Sequence, residues 1–322
     1  MNAYATTPET PTPVRWWVPV VRGIAIGVGS VFAAAMGVSA LTAAEGFWAR
    51  GKLMPTRVAS SIAAHGLFGE HTEDTPLHLV LMGDSLAVGY GSDDDAKTVG
   101  VVLATELAAA SARPVRLDNV AEVGAESLDL IEQLVTVRHL ATPPDVVVII
   151  VGANDVMHLR SLVAALRPLR ATITALRGAG ARVVLATCPD LGTVRSFFEP
   201  LRFFAHWISR VLATSQTIVA LRAGARTVSL ADALGPLFRR EPGTMFSRLD
   251  RLHPSGLGYQ RAAEVLLPSV LAAAGHPTPG ERAVPFRVYD KSSRHPLAWL
   301  AFRASRRAGQ RLRHIDDVTS PA

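Results

Sequence analysis

From Leu77 onward, short apolar runs alternate with longer helix-like stretches, and this alternation limits the folds open to the chain more than any other feature. The runs occupy 77–82, 115–120, 145–151, 182–187 and 226–231. Helical patterning lies between them near 97–111, 126–140, 159–178 and 196–223, with a last stretch at 256–274. The run at 145–151 is apolar on both alternating faces, as a central strand covered by helices should be. Strands separated by helices pair in parallel through crossover connections. The pattern predicts a three-layer α/β domain over 76–276, with a five-stranded parallel sheet and no internal repeat.

The flanks are of a different character. Residues 1–17 begin with a Thr/Pro-rich stretch and read as a disordered lead. Within 18–46, the 22 residues from Gly23 to Ala44 carry no charge. As a helix they would span roughly 33 Å, enough for a bilayer core. Trp16 and Trp17 before the run, and Phe47 and Trp48 after it, resemble interfacial aromatic belts. The segment reads as an uncleaved transmembrane anchor, with a cleaved signal sequence as the alternative, because the run exceeds the usual signal-peptide core. Arg15 and Arg22 on one side balance Arg50, Lys52 and Arg57 on the other, so membrane orientation stays open. Residues 47–75 read as a linker.

The net charge of +6 sits almost wholly in the tail 277–322, where residues 286–322 hold eight Lys/Arg against three Asp. The body is nearly neutral, which argues against a nucleic-acid partner. Apolar residues among the tail arginines, including Trp299, Phe302 and Leu312, suit either an amphipathic helix on anionic lipid or a solvated arm. Cys188 is the single cysteine, so no disulfide framework or thiolate metal cluster is expected.

The strand ends carry the chemistry. The first run exits into Gly83-Asp84-Ser85-Leu86. In open parallel sheets the ligand crevice lies beyond the carboxyl ends of the strands, so a serine there faces substrate. A helix starting after it would aim N–H groups at a developing oxyanion, although Asp-Ser is also ordinary turn and N-cap chemistry. The second run leads to Gly124, whose N–H could approach a substrate oxygen. The third leads to Gly152-Ala153-Asn154-Asp155, where an uncharged amide suits an oxyanion hole and equally suits a helix cap. Finally, Asp250-Arg251-Leu252-His253 precedes a helix beginning near Gly256. That spacing lets the carboxylate reach Nδ1 while Nε2 faces outward, as a general base requires; a surface ion pair is the competing reading.

Together, in this order, the four blocks resemble the SGNH (GDSL) hydrolase family, letter for letter at Gly83-Asp84-Ser85-Leu86. Gly124, Gly152-x-Asn154-Asp155 and Asp250-x-x-His253 supply the remaining motif positions. The resemblance covers about 200 residues and implies a flavodoxin-like strand order 2-1-3-4-5 with no cofactor and no metal. It implies a serine esterase or lipase cleaving acyl esters through Ser85, with His253 as base and Asp250 orienting it. The oxyanion hole would come from Ser85, Gly124 and Asn154, with Gly83, Asp84, Gly152 and Asp155 as motif support. Acyl transfer to a sugar or lipid hydroxyl would use the same residues, and a non-catalytic binding module is the third reading.

Other residues draw notice with less reason. Cys188 reads as a small buried hydrophobe. His65, His71 and His78 lack metal-ligand spacing and read as linker residues. Phe197, Phe198, Phe203, Phe204 and Trp207 read as core packing, with an acyl-pocket wall or a membrane-facing lid as the rival.

Overall fold

The computed structural model describes residues 64–70 and 74–276. Within them, six strands form one sheet: β1 (Gly66–Phe68), β2 (Leu77–Gly83), β3 (Val115–Asn119), β4 (Val146–Ile150), β5 (Arg182–Ala186) and β6 (Arg226–Val228). Their order is β1-β3-β2-β4-β5-β6. The five strands from β2 to β6 are all parallel to their neighbours, in the 2-1-3-4-5 arrangement.

The expected five-stranded parallel sheet needs one correction. β1 pairs antiparallel with β3, Leu67 opposite Arg116, and makes the sheet mixed. β1 lies in the stretch read as a linker, and its three residues, Gly-Leu-Phe, are too few to display an alternation. It is an edge strand, found by pairing rather than by pattern.

Alternation along the strands sorts the core into two layers. Leu79, Leu81, Val148, Ile150 and Val184 face one side, against the helices Val99–Ser111 and Gly256–Ala273. Val80, Met82, Val147, Ile149 and Leu185 face the other, against the helices Leu130–Arg138 and Leu162–Gly178. Every residue of β4 is buried. Each such side chain contributes roughly 1.5–3 kcal/mol by leaving water, so the strands that carry the site are held by both layers.

Helix ends follow local chemistry. Ser161 and Ser255 cap the helices after them by accepting N–H bonds from Ala164 and Gly258. The helix expected from 196 begins only at Leu201, because Pro200 disfavours helical backbone at the residue before it. Among the described residues no helix is long and apolar enough to cross a membrane. The apolar run 23–44 and the tail 277–322 lie outside the described residues.

Candidate active site

β2 delivers the first functional group. At Gly83 the backbone turns with φ +127°, and a Cβ there would sit 1.8 Å from the Ile150 carbonyl oxygen, so only glycine fits. Asp84 follows as the cap of the short helix Ser85–Val88, its side chain accepting the Leu86 N–H. Ser85 thus stands at the first helical position beyond a strand whose neighbours β3 and β4 lie on opposite sides, the switch point of the sheet.

The loop after residue 245 delivers the second and third. An antiparallel bridge between Phe246 and Pro254 closes it, and Ser247 N–H donates to the His253 carbonyl at 2.8 Å. Inside the loop, Asp250 Oδ1 accepts the backbone N–H groups of Leu252 and His253 at 2.9 and 3.0 Å. Its Oδ2 lies 2.6 Å from His253 Nδ1. His253 Nε2 lies 3.0 Å from Ser85 Oγ. Residues 168 positions apart in sequence are therefore joined in one hydrogen-bonded chain, with Nδ1–H donating to the carboxylate and Nε2 free to accept from the hydroxyl.

Electrostatics favour that arrangement. Burial acts to raise the Asp250 carboxyl, but hydrogen bonds from the His253 ring and from the N–H groups of Leu252 and His253 outweigh it and hold the group below the usual carboxylate range. The carboxylate stays charged where the imidazole needs a partner. Tyr90 packs edge-on against the His253 ring with centroids 4.9 Å apart, fixing the ring plane.

A cavity of about 100 Å³ opens at the hydroxyl. Ser85, Gly124, Asn154 and His253 all line it, so the strand-end residues named from sequence converge on one space. Asn154 Nδ2 donates to the Ala125 carbonyl at 2.8 Å, which orients the amide and leaves its second N–H for another acceptor. Gly124 adopts φ +82°. Among the described residues no protein acceptor takes the N–H of Ser85 or of Gly124. The cavity's other lining is mostly apolar, including Met157, Leu191, Val194, Phe238, Phe246 and Leu252, with Asp190, Thr193 and Tyr259 as polar members.

The remaining motif residues are buried beneath this surface. Asp155 is bonded by Ser127 through Oγ at 2.8 Å and through N–H at 3.1 Å, pinning the 125–127 turn beside Gly124. Burial pushes Asp155 above its ordinary range. Gly152, at φ +131°, packs against Cys188 and Gln216. Cys188 is fully buried and burial drives its thiol well upward, as a packing residue rather than a nucleophile requires.

Several positioning residues carry no sequence signal. The Gln133 carboxamide bonds both polar groups of Gly83, accepting its N–H at 2.7 Å and donating to its carbonyl at 2.8 Å. Gln216 bridges the ends of β4 and β5 through Val151 O and Cys188 N. Asn119 Nδ2 bonds Ala87 O, and the Tyr259 hydroxyl bonds Tyr90 O. Asp190, wholly buried in the cavity wall, is bound by His206 and Arg239.

Two readings from sequence are corrected. His78 is no linker residue: it is buried on β2, its Nε2 2.8 Å from Asp118 Oδ2, because the carboxylate satisfies a ring that alternation alone would place in the core. His65 also reaches Asp118, at 3.4 Å, and His71 lies outside the described residues. Of the five aromatics after β5 only Phe197 is core; Phe198, Phe203, Phe204 and Trp207 are exposed and absent from the cavity lining, so neither core packing nor an acyl-pocket wall describes them. Phe203, Phe204 and Trp207 lie on the solvent side of the helix Leu201–Arg222, whose buried positions include Ala205, Ser209 and Leu212, and Phe198 precedes that helix. Among the described residues no three His, Cys, Asp or Glu side chains converge as a metal-ligand set.

Residues 81–261 match the GDSL-like lipase/acylhydrolase family, more than half of the chain. The chain belongs to that family. The acylhydrolase domain spans Ser85 and His253, the two groups joined across the sheet, so the resemblance read from four short blocks holds over the whole matched segment. A GDSL-like esterase of Mycobacterium tuberculosis is 40% identical over 190 residues, which are 59% of this chain and 60% of that protein. The chain thus spans about three fifths of that relative's length. Among solved structures, phospholipase A1 from Streptomyces albidoflavus is similar at 18% identity, covering 62% of this chain and 100% of the other, with a TM-score of 0.45. A lipolytic G-D-S-L family member from Veillonella parvula is similar at 17% identity, covering 59% and 96%, with a TM-score of 0.46.

Proposed function

We propose that the protein cleaves carboxylic acyl esters in two steps through a Ser85 acyl-enzyme. The observation that carries this reading is the hydrogen-bonded chain from Asp250 through His253 to Ser85 at the mouth of one apolar cavity. Ser85 Oγ attacks the ester carbonyl as His253 Nε2 takes its proton, and Asp250 stabilises the imidazolium that results. The negative oxygen of the tetrahedral intermediate meets the N–H groups of Ser85 and Gly124 and the free N–H of Asn154. His253 returns its proton to the departing alcohol. Water then attacks the acyl carbon, with His253 again as base, and frees Ser85. No cofactor enters the scheme. The largely apolar lining of the cavity suits an uncharged acyl chain. Turnover of a panel of p-nitrophenyl esters from acetyl to palmitoyl tests the reading. Turnover that depends on acyl chain length and is abolished in Ser85→Ala is the expected result.

The membrane is the proposed setting. The uncharged run from Gly23 to Ala44 suits a single-pass anchor in the cell membrane, and the basic tail suits anionic lipid. Partition of the full chain into a detergent-soluble membrane fraction, lost on deleting residues 18–46, is the check. Recovery of both forms in the soluble fraction would remove the anchor.

A further inference from the structure

The loop that holds Asp250 and His253 inward also presents side chains outward. Arg248 and Arg251 are exposed on it, with Leu249 between them 86% exposed. Arg195 joins them from the adjacent segment, which Ser196 ties to the loop by donating to the Arg251 carbonyl at 3.3 Å. The three arginines line a second cavity, of about 430 Å³, with Gly243, Phe246 and Ser247. Phe246 lines the acyl cavity as well, and Ser247 N–H is bonded to the His253 carbonyl, so the two spaces adjoin across one residue.

Position rather than charge balance sets these arginines apart. Among the described residues the exposed Arg138, Arg167, Arg170, Arg182 and Arg222 lack a carboxylate partner too, while Arg195, Arg248 and Arg251 share one cavity beside the catalytic loop. Arg160 is paired with Glu126, Arg202 with Glu199, Arg210 with Asp232 and Arg239 with Asp190. Among the described residues Arg195, Arg248 and Arg251 have no carboxylate partner. Like charges gathered in one concavity repel, and a bound anion relieves that repulsion. Arg251 also holds φ +53°, a conformation that suits glycine or asparagine, so the backbone alone does not account for an arginine there.

We propose that this cup is an alcohol-side subsite for a phosphate group, making the substrate an acyl ester whose alcohol bears a phosphate. The inference rests on the ester-hydrolase reading above. The apolar cavity at Ser85 takes the acyl chain, because a charged acyl group would lose its hydration there without a partner. The charge must then lie on the alcohol. Three guanidinium groups supply forked donors for the three terminal oxygens and double charge of a phosphate monoester, more than one carboxylate can use. On acylation the Ser85 Oγ–C bond forms, the C–O bond to the phosphorylated alcohol breaks, and the proton from His253 goes to that alcohol oxygen.

The test uses the full chain and two soluble esters, 1-acetylglycerol and 1-acetylglycerol 3-phosphate. The expected result is a kcat/KM ratio favouring the phosphate ester, which falls roughly tenfold for each of Arg195→Ala, Arg248→Ala and Arg251→Ala. Arg251→Gly, whose backbone suits the observed φ, gives the same fall without added strain. Inorganic phosphate titrated calorimetrically should bind wild type and not the triple alanine variant. Loss of sedimentation with phosphatidic acid vesicles in the triple variant, beside an unchanged ratio on the soluble pair, assigns the arginines to a bilayer headgroup and overturns the alcohol-side subsite. Cleavage of both esters at equal kcat/KM, with no arginine effect on the ratio, on phosphate binding or on vesicles, overturns the cup and leaves the hydrolase reading standing. Equal losses on both esters also overturn it, since a merely structural loop would behave so. Cleavage of neither ester refutes the hydrolase reading, and the phosphate titration then judges the cup alone.

Discussion

Gln133 clasps Gly83 at both backbone polar groups, accepting its N–H at 2.7 Å and donating to its carbonyl at 2.8 Å. The clasp lies two residues before the proposed nucleophile and is fully buried. It holds the exit of β2 at the one point where the chain must turn toward the cavity. Gln133→Ala leaves a buried N–H without its partner, which costs about 1–3 kcal/mol. Thermal melts should record that loss together with a fall in kcat larger than any change in KM. An unchanged kcat would mean that the turn is held without the clasp.

Asn154 is predicted to matter for chemistry more than for folding. Its Nδ2 bond to Ala125 is one ordinary contact, whereas an oxyanion donor is worth about 3–4 kcal/mol of barrier. Asn154→Ala should therefore lose roughly two to three decades of kcat with a small change in melting temperature. Full turnover in this variant would remove it from the oxyanion hole.

Asp250→Asn keeps the size of the side chain but deprives the imidazolium of its counter-charge. Loss of kcat by about three to four decades is expected, by analogy with serine triads in general. Because wild-type Asp250 titrates below the usual carboxylate range, it stays charged through mildly acidic pH. Stability from this group is present above the ordinary aspartate pKa and is lost as pH falls through the lowered folded value. Acid melts of wild type and Asp250→Asn should converge at low pH; a constant gap would contradict the assignment.

Asp84 behaves in the opposite sense. Burial raises its carboxyl from 3.8 to about 7, against the pull of the Leu86 N–H and with a further push from Asp155. A raised acid binds its proton more tightly when folded, so stability falls as pH rises from about 4 to about 7. Asp84→Asn keeps an acceptor for Leu86 and removes the titration. Its stability relative to wild type should rise by a few kcal/mol, on the order of 1.4 per pKa unit, across that window. A pH-independent difference in urea melts would refute the coupling.

Phe238 sits edge-on to Phe246 at 4.9 Å in the cavity wall. Phe238→Ala should cost about 3 kcal/mol of stability and shift the preferred acyl chain to greater length. The exposed Phe203 and Phe204 lie outside that wall, so Phe203→Ala should leave the chain-length profile unchanged. The reverse pattern would move the acyl site to the helix surface.

Much of the frame is readable from the chain because its signals are local. Five apolar runs became the five parallel strands, and each motif residue lies within a few positions of a strand end or helix start. The three residues of β1, Gly66 to Phe68, are too short to carry a period, and only the partner β3 makes them a strand. Gln133 and Gln216 give no local signal for the same reason, since an amide on a helix declares its role only when a distant strand end docks against it. A ring nitrogen at His78 looks out of place in an apolar strand until Asp118, 40 residues on, supplies its acceptor. The aromatics after β5 suggest core by composition, which does not reveal which side of a helix faces solvent.

The central claim is that Ser85 forms the acyl-enzyme, and covalent labelling tests it most directly. A fluorophosphonate probe followed by peptide mass mapping should place one adduct on Ser85, absent in Ser85→Ala and formed far more slowly in His253→Ala. A stoichiometric adduct on any other residue, or undiminished ester cleavage by Ser85→Ala, would contradict the account.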